Sequence, residues 1–298
     1  MEKKYSYQTS DDKGTLYLVA TPIGNLQDMT FRAVETLRQS AVIAAEDTRQ
    51  TRKLLTHFQI EGPRLTSYHE HNKNRMEEEI IGLLDSGHSV SLVSDAGTPG
   101  ISDPGEDLVR AAVAKGHRVV PIPGACAAIT ALVASGMPTD QFSFVGFLPR
   151  ERKERRKMLE RWRSRPETLL FYEAPHRLKD TVKDLLEVLG NRRVTTAREL
   201  TKRFEEFARG TLKELLEMLE TESSKGEYVL VVEGADPLAT VEESAAWWEP
   251  LTVIEHVHEL MKRGIDKKEA IKQVAKERNL PKREVYGAVL EADEKENH

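Results

Sequence analysis

The sequence predicts an α/β protein made of two α/β domains with a cleft between them, plus a small C-terminal all-helical extension. Three observations predict it. The 298 residues are more than one ordinary hydrophobic core organises. From Thr15 to Glu233, short apolar β-type runs alternate with amphipathic stretches of helical period. Beyond about Ala239 the strand pattern stops and only helical periodicity continues. Hydrophobic residues at 39% and charged residues at 31% are the balance of a soluble globular chain, which sets aside fibrous and disordered classes.

Residues 1–13 are polar and read as a flexible leader. The first domain, 14–124, has candidate strands at Leu16–Ala20, Val42–Glu46, Val90–Asp95 and Arg118–Ile122. Helical patterns fall between them at Phe31–Gln39, Thr48–Phe58, Asn72–Ser86 and Glu106–Lys115. Near-continuous apolar strands separated by helices indicate a mostly parallel sheet covered on both faces. The second domain, 125–238, opens with a helix at Ala125–Ser135 and a turn at Gly136-Met137-Pro138. Its strands are expected at Phe142–Phe147, Leu169–Glu173, Val194–Glu199 and Tyr228–Glu233, with Phe204–Arg209 as an antiparallel hairpin member. Helices are expected at Lys153–Arg163, His176–Leu189 and Leu212–Glu220. In 239–298 the pattern gives two or three helices, with Asp266 capping Lys267–Arg278 and Pro281 opening the next.

No run of about 18 uncharged apolar residues occurs, so no transmembrane helix is expected. Met1-Glu2-Lys3-Lys4 begins a polar stretch without an apolar segment, which argues against a secretory signal. A single cysteine, Cys126, excludes an intrachain disulfide and a cysteine-based zinc site and fits a reducing cytoplasm.

The net charge of −5 hides two basic patches. Residues 150–165 carry nine Lys/Arg against three Glu, and residues 262–283 carry nine against Asp266, Glu269 and Glu277. Residues 284–298 are acidic. Either patch alone reads as a solvated helix face, but two of equal strength lean toward an anionic polymer as partner.

Ligands of parallel α/β sheets bind at the carboxyl ends of strands, so the loops leaving those strands carry the functional weight. Thr21-Pro22-Ile23-Gly24-Asn25-Leu26 has one glycine where a dinucleotide fingerprint needs three, and no P-loop Gly-Lys-Ser/Thr follows. Hydride transfer to NAD and ATP hydrolysis lose their main support. Ser94 to Gly105 holds three glycines and two prolines, with Asp103 placed to cap a helix beginning at Pro104. Asp95, at a strand end beside small residues, suits a cationic or hydroxylated ligand. Pro121 to Ala128 offers small residues at a helix N-terminus. Cys126 there reads as an inert small residue, since no base partner for it can be named.

Taken together these loops resemble the tetrapyrrole methylase superfamily, the class III S-adenosylmethionine-dependent methyltransferases. Within it they are most similar to the small-subunit ribosomal RNA cytidine 2′-O-methyltransferases. The segments that carry the resemblance include LVATPIGNL (18–26), AAEDTR (44–49), SYHEHN (67–72), SDAGTPGISDPG (94–105) and PIPGACAAITAL (121–132). GFLPR (146–150), FYEAPHR (171–177), ARELTK (197–202) and GEYVLVVEG (226–234) continue it. GFLPR, YEAPHR and ARELTK choose the RNA branch over tetrapyrrole-modifying relatives.

The resemblance implies two domains of the tetrapyrrole-methylase type, the donor S-adenosylmethionine folded in their cleft, and a homodimer. It implies 16S rRNA of the small ribosomal subunit as substrate, methylated on the ribose of cytidine 1402 in the decoding centre. Carried over, Pro22, Ile23, Gly24, Asp95, Gly97, Thr98, Ile101, Ala125, Cys126 and Ala127 line the donor pocket from the first domain. Tyr172, Glu173, Ala174 and Glu233 complete it from the second. The chain departs from the pattern at Cys126 and Ala127, where many members have serine or threonine, so a side-chain hydroxyl contact to the donor is in doubt there.

A ribose hydroxyl needs in-line placement and a proton acceptor. The candidates are Glu173 first, then Glu46, Asp47 and His69, with His71 and His176 also in reach of the motifs. Glu46 and Asp47 also suit a helix cap or a pair with Arg49. No metal is expected, because the His69-Glu70-His71 spacing does not put two imidazoles on one helix face. RNA docking is assigned to Arg150, Arg152, Lys153, Arg155 and Arg156, with His176, Arg177 and Lys202 nearby in the motifs. The C-terminal lysines form either a second RNA-facing module or a capping bundle. Two other readings stay open: a uroporphyrinogen or precorrin methylase, and a ribosome-associated binding protein without catalysis. No membrane partner is expected.

Overall fold

A computed structural model describes residues 13–236, 248 and 251–296. They fall into two compact units, one up to Gly234 and one from Ala235. The expected boundary between 238 and 239, and all of the leader except Lys13, lie outside the described residues.

In the first unit, β1 (Thr15–Val19), β2 (Val42–Ala45), β3 (Arg64–Ser67), β4 (Val90–Val93) and β5 (Arg118–Ile122) form a sheet ordered β3-β2-β4-β1-β5. Every pairing in it is parallel. Both faces are covered, which is why β2 and β4 are buried along their whole length and apolar except for Ser91, whose hydroxyl pairs with that of Ser40. Helices α1 (Phe31–Gln39), α2 (Thr48–His57), α3 (Lys73–Asp85) and α4 (Glu106–Ala114) supply the crossovers. β3 escapes the sequence pattern for a physical reason: it is an edge strand that pairs only with β2, and its residues Arg-Leu-Thr-Ser are half-exposed.

Helix α5 (Ala127–Ser135) leads to a second sheet of β6 (Phe142–Phe147), β7 (Thr168–Glu173), β8 (Arg193–Arg198), β9 (Glu206–Thr211) and β10 (Tyr228–Val232). Its order is β6-β7-β10-β8-β9, and only β6 and β7 run parallel. Helices α6 (Arg152–Glu160), α7 (Leu178–Leu189) and α8 (Leu212–Thr221) complete this half. Along β7, Leu169 and Phe171 enter the core shared with α7 and α8, while Leu170 and Tyr172 face the cluster built with α5.

Two sequence expectations shift. The hairpin strand starts at Glu206 rather than Phe204, because Glu199 and Thr201 take positive φ (50° and 66°) and fold the chain into a tight loop. Helix α4 starts at Glu106 behind Gly105, so Asp103 is not its cap and Pro104 is not its first residue. Gly105 has φ 150°, and a Cβ there would meet Leu92 Cδ2 at 2.9 Å.

The second unit contains α9 (Val253–Lys262), α10 (Lys267–Glu277) and α11 (Lys282–Glu296). Asp266 caps α10 through Lys268 N–H, as the sequence indicates. Val257, Leu260, Ile271, Val274, Val285 and Val289 make its core. His256 is buried against Glu277 and stacks on Trp248, whose ring also carries the Arg278 guanidinium 4.8 Å from its centroid.

Candidate active site

The carboxyl ends of β1 and β4 open on a cavity of about 330 Å³, within the range of small-ligand sites. From the first sheet it is walled by Ile23, Gly97, Thr98 and Ile101, and from the start of α5 by Cys126 and Ala127. The end of β7 adds Tyr172, Glu173 and Ala174, and the start of β10 adds Glu227, Tyr228 and Val229. The TPIGN and DAGTP loops are tied by a bridge, Thr21 N–H to Gly97 O (2.8 Å) and Gly97 N–H to Thr21 O (3.1 Å). Thr98 donates to the Ala125 carbonyl at 3.3 Å, so Ala125 anchors the wall rather than lining it. Gly97 has φ 83°, and a Cβ on it would stand 3.3 Å from Ile23 Cγ2, crowding the wall.

Pro22, Gly24 and Asp95 line a second cavity of about 420 Å³ that shares Ile23, Ala96 and Glu227 with the first. Asp95 there accepts from Asp47 N–H at 3.0 Å. Tyr172 takes Ala128 N–H on its hydroxyl (3.1 Å), and burial, then the nearby Cys126, push its pKa up to about 12. It stays a neutral hydroxyl at any working pH.

The carboxylates separate into two kinds. Burial and the charge of Asp95 raise Glu46 above the ordinary glutamate range. Burial, then the charge of Glu46, push Asp103 up to about 6, and Asp103 lines the first cavity. By contrast Asp47 is spent on structure: it caps α2 through Arg49 N–H (2.8 Å) and pairs with the Arg49 guanidinium (2.7 Å). Those bonds pull it down to about 2.

Glu173 is likewise occupied. Its side chain continues the α7-facing side of β7 and is wholly buried, accepting from Thr181 Oγ1 (2.6 Å) and Ala174 N–H (2.9 Å), with Arg177 Nε at 3.4 Å. Glu173 thus stands at the cavity wall, but its carboxylate is taken up by Thr181, the Ala174 N–H and Arg177 rather than left free, while strand alternation turns Tyr172 toward the α5 side. His69 is partly buried, with Nδ1 unpaired and its ring 6.0 Å from that of His71. Among the described residues no group of three or more His, Cys, Asp and Glu is placed to hold a metal.

Residues 15–216 match the family model of the Tetrapyrrole (Corrin/Porphyrin) Methylases. The chain belongs to this methylase family. It is 56% identical to the Ribosomal RNA small subunit methyltransferase I of Halalkalibacterium halodurans, covering 96% of this chain and 98% of that one. It is 52% identical to the protein of the same name from Bacillus subtilis, over 97% and 98% of the two chains. The fold is shared with uroporphyrin-III C-methyltransferase of Thermus thermophilus complexed with S-adenosyl homocysteine, at TM-score 0.51 and 18% identity, over 76% of this chain and all of that one.

Other carried-over residues of this methylase sit differently from expectation. Glu233 lies at the wrong end of the sheet. β10 runs antiparallel to β7, so Tyr228 faces Glu173 while Val232 pairs with Leu169. Glu233 accepts from Arg193 Nε at 3.0 Å, and Glu227 to Val229 stand at the cavity in its place.

The basic rim is also largely neutralised from within. Arg155 is buried and pairs with the buried Asp184 at 2.6 Å. Arg152 reaches Asp184 (2.9 Å) and Glu187 (3.1 Å), and Arg156 pairs with Glu187. Arg177 donates to the Leu148 carbonyl at 2.6 Å, and Lys202 bonds Glu199 (3.0 Å) and Glu227 (2.7 Å). Arg150, Lys153 and His176 are exposed and remain available to a partner. Sequence reasoning missed Asp103 as a cavity-lining carboxylate of raised pKa, because Asp-Pro-Gly reads as a cap. It also missed Glu227, because the antiparallel direction of β10 that brings it to the cavity carries no sequence signal.

Proposed function

We propose that this chain transfers a methyl group from S-adenosylmethionine to the ribose 2′-hydroxyl of cytidine 1402 in 16S rRNA. The observation that supports this most is identity above 50% across nearly the whole chain with two relatives named as small-subunit rRNA methyltransferases. The first cavity fits the donor: its size suits a folded small molecule, and the positive φ of Gly97 keeps its wall free of a side chain. Ile23, Gly97, Thr98, Ile101, Cys126, Ala127, Tyr172 and Ala174 would hold it, with Pro22, Gly24 and Asp95 in the adjoining chamber.

When bound, the donor supplies a methyl already activated on sulfur. The chain must bring a ribose oxygen into line with it, a placement worth as much as about 7–11 kcal/mol when ideal. Asp103 is read as the group that takes the hydroxyl proton, a contribution of roughly 10²–10⁴-fold. It lines the cavity and is ionised at neutral pH, yet basic enough to accept a proton. Glu46 keeps Asp103 basic through its charge, and His69 stands beside Glu46.

A homodimer is part of this reading. One face of α5 leaves Ile129 and Val133 exposed one turn apart (43% and 70%), as a subunit contact would require. The substrate would put the protein in the cytoplasm. Among the described residues no helix is long and apolar enough to cross a membrane. Incubating the protein with labelled donor and small subunits from a strain lacking the modification, followed by nucleoside analysis, tests the reading. Labelled 2′-O-methylcytidine supports it, and transfer to uroporphyrinogen with none to subunits refutes it.

A further inference from the structure

The second cavity does not end at Asp95. It shares Gly24, Leu26 and Lys202 with a third, more open one of about 640 Å³, lined further by Gln27, His57, Phe58 and Arg203. Adjoining cavities therefore follow one another from the donor cavity across the TPIGN loop and α2 to the loop before β9. Its last chamber has three residues of basic type, His57, Lys202 and Arg203, and no carboxylate in its lining. Lys202 is neutralised by Glu199 and Glu227, but among the described residues Arg203 makes no ion pair, and in the middle chamber Lys53 bonds only the neutral Gln50 at 3.2 Å.

The loop that presents Arg203 is built at a conformational cost. Glu199 and Thr201 hold positive φ, a strained conformation that is rare for a β-branched residue such as Thr201. Glu205 fixes it by accepting Thr201 N–H at 2.7 Å, and Glu199 and Glu227 clamp Lys202. The product of this rigidity is an exposed aromatic. Phe204 is 69% exposed, with the Arg203 guanidinium 5.5 Å from its ring centroid. A large apolar ring held in water beside an uncompensated guanidinium matches what a single-stranded base and its phosphate need.

We propose that Arg203 and Phe204 form a stacking platform for a nucleotide flanking the target cytidine, with Lys53 drawing the strand's phosphate into these adjoining cavities. This rests on the rRNA methyltransferase reading and adds to it where the strand lies. The decoding region would cross the TPIGN loop between the two sheets, rather than approach only from the α6 rim. Gly24 marks how close the two sides come, since a Cβ there would meet Lys202 Cγ at 2.5 Å.

The test is steady-state methylation of unmodified small subunits by the full chain and by Phe204→Ala, Phe204→Tyr and Arg203→Glu. Binding of S-adenosylhomocysteine by calorimetry runs alongside. Phe204→Ala is expected to raise KM for subunits about tenfold with kcat within about threefold, since one stacked base is worth that much. Phe204→Tyr should restore KM. Arg203→Glu should raise KM and flatten its salt dependence. Donor affinity should stay unchanged in all three. Unaltered KM in both disruptive variants, while the parent protein methylates subunits, overturns the platform and leaves the rRNA reading standing. A parallel loss of donor affinity in both assigns the loop to the fold and also overturns it. No transfer to subunits by the parent protein defeats both.

Discussion

The two sheets of the first unit end differently, and the difference separates chemistry from scaffold. At the carboxyl ends of the all-parallel sheet, Glu46 and Asp103 are part-buried carboxylates held above their ordinary pKa by desolvation and by a neighbouring carboxylate, Asp95 for Glu46 and Glu46 for Asp103. At the end of β7 in the mixed sheet Glu173, and on the helix α7 packed against it Asp184, are buried but satisfied by Thr181, Arg177, Arg152 and Arg155. Burial without a counter-charge leaves a group reactive, whereas burial with one makes it mortar. On the proposed reading, the first sheet carries the reactive carboxylate of the crevice, and both sheets wall it.

The largest effect that would break this contrast concerns Asp103. Asp103→Asn is expected to lower kcat on small subunits by roughly 10²–10⁴-fold with donor affinity little changed. A kcat within about threefold of the parent would move the proton acceptor elsewhere, with Glu46→Gln the next variant to assay. On the scaffold side, Asp184→Ala strands the buried Arg155 and should cost about 3–5 kcal/mol in chemical denaturation while leaving donor affinity in place. A cost below about 1 kcal/mol would contradict the structural role given to that pair.

Stability should also respond to pH through Asp103. Asp103 has a folded pKa of about 6 against 3.8 for the free side chain, so between those values the native state binds the proton more tightly than the unfolded chain. Stability from this group is therefore full below about pH 4 and lost as pH rises through 6. Asp103→Asn should be more stable than the parent at pH 7 by of order 1–3 kcal/mol, with the gain vanishing near pH 4. Denaturation curves at pH 4, 5.5 and 7 check this, and a gain independent of pH would remove its electrostatic cause. An inactive variant that is also more stable would mark Asp103 as strained for function.

The smallest effect sharpens the rim. Arg150→Glu with Lys153→Glu should weaken subunit binding and lower its salt slope by about two ions. Arg156→Ala should change it little, because Glu187 already neutralises that guanidinium. Equal losses in the two variants would mean that the internal pairs open on RNA binding.

What the sequence made legible follows the same division. The parallel half was readable because its buried central strands are nearly continuous apolar runs, and its cavity-lining loops fall where the small residues of TPIGN, DAGTPG and GACA point. β3 was not, because an edge strand has no such run. In the mixed half the elements were legible but their directions were not. Nothing in GEYVLVVEG says that β10 runs backward, so Glu233 was placed at the cavity and Glu227 overlooked. Partners were hidden too: nine basic residues in 150–165 look like an open cationic face until Asp184 and Glu187, about thirty positions on, fold against three of them.

The most direct measurement gives the purified chain labelled S-adenosylmethionine and small subunits that lack the modification, then digests the rRNA to nucleosides. Label recovered as 2′-O-methylcytidine, located at position 1402 and abolished in Asp103→Asn, is the result this account requires. Unlabelled rRNA, or label confined to a base carbon or nitrogen, would contradict it.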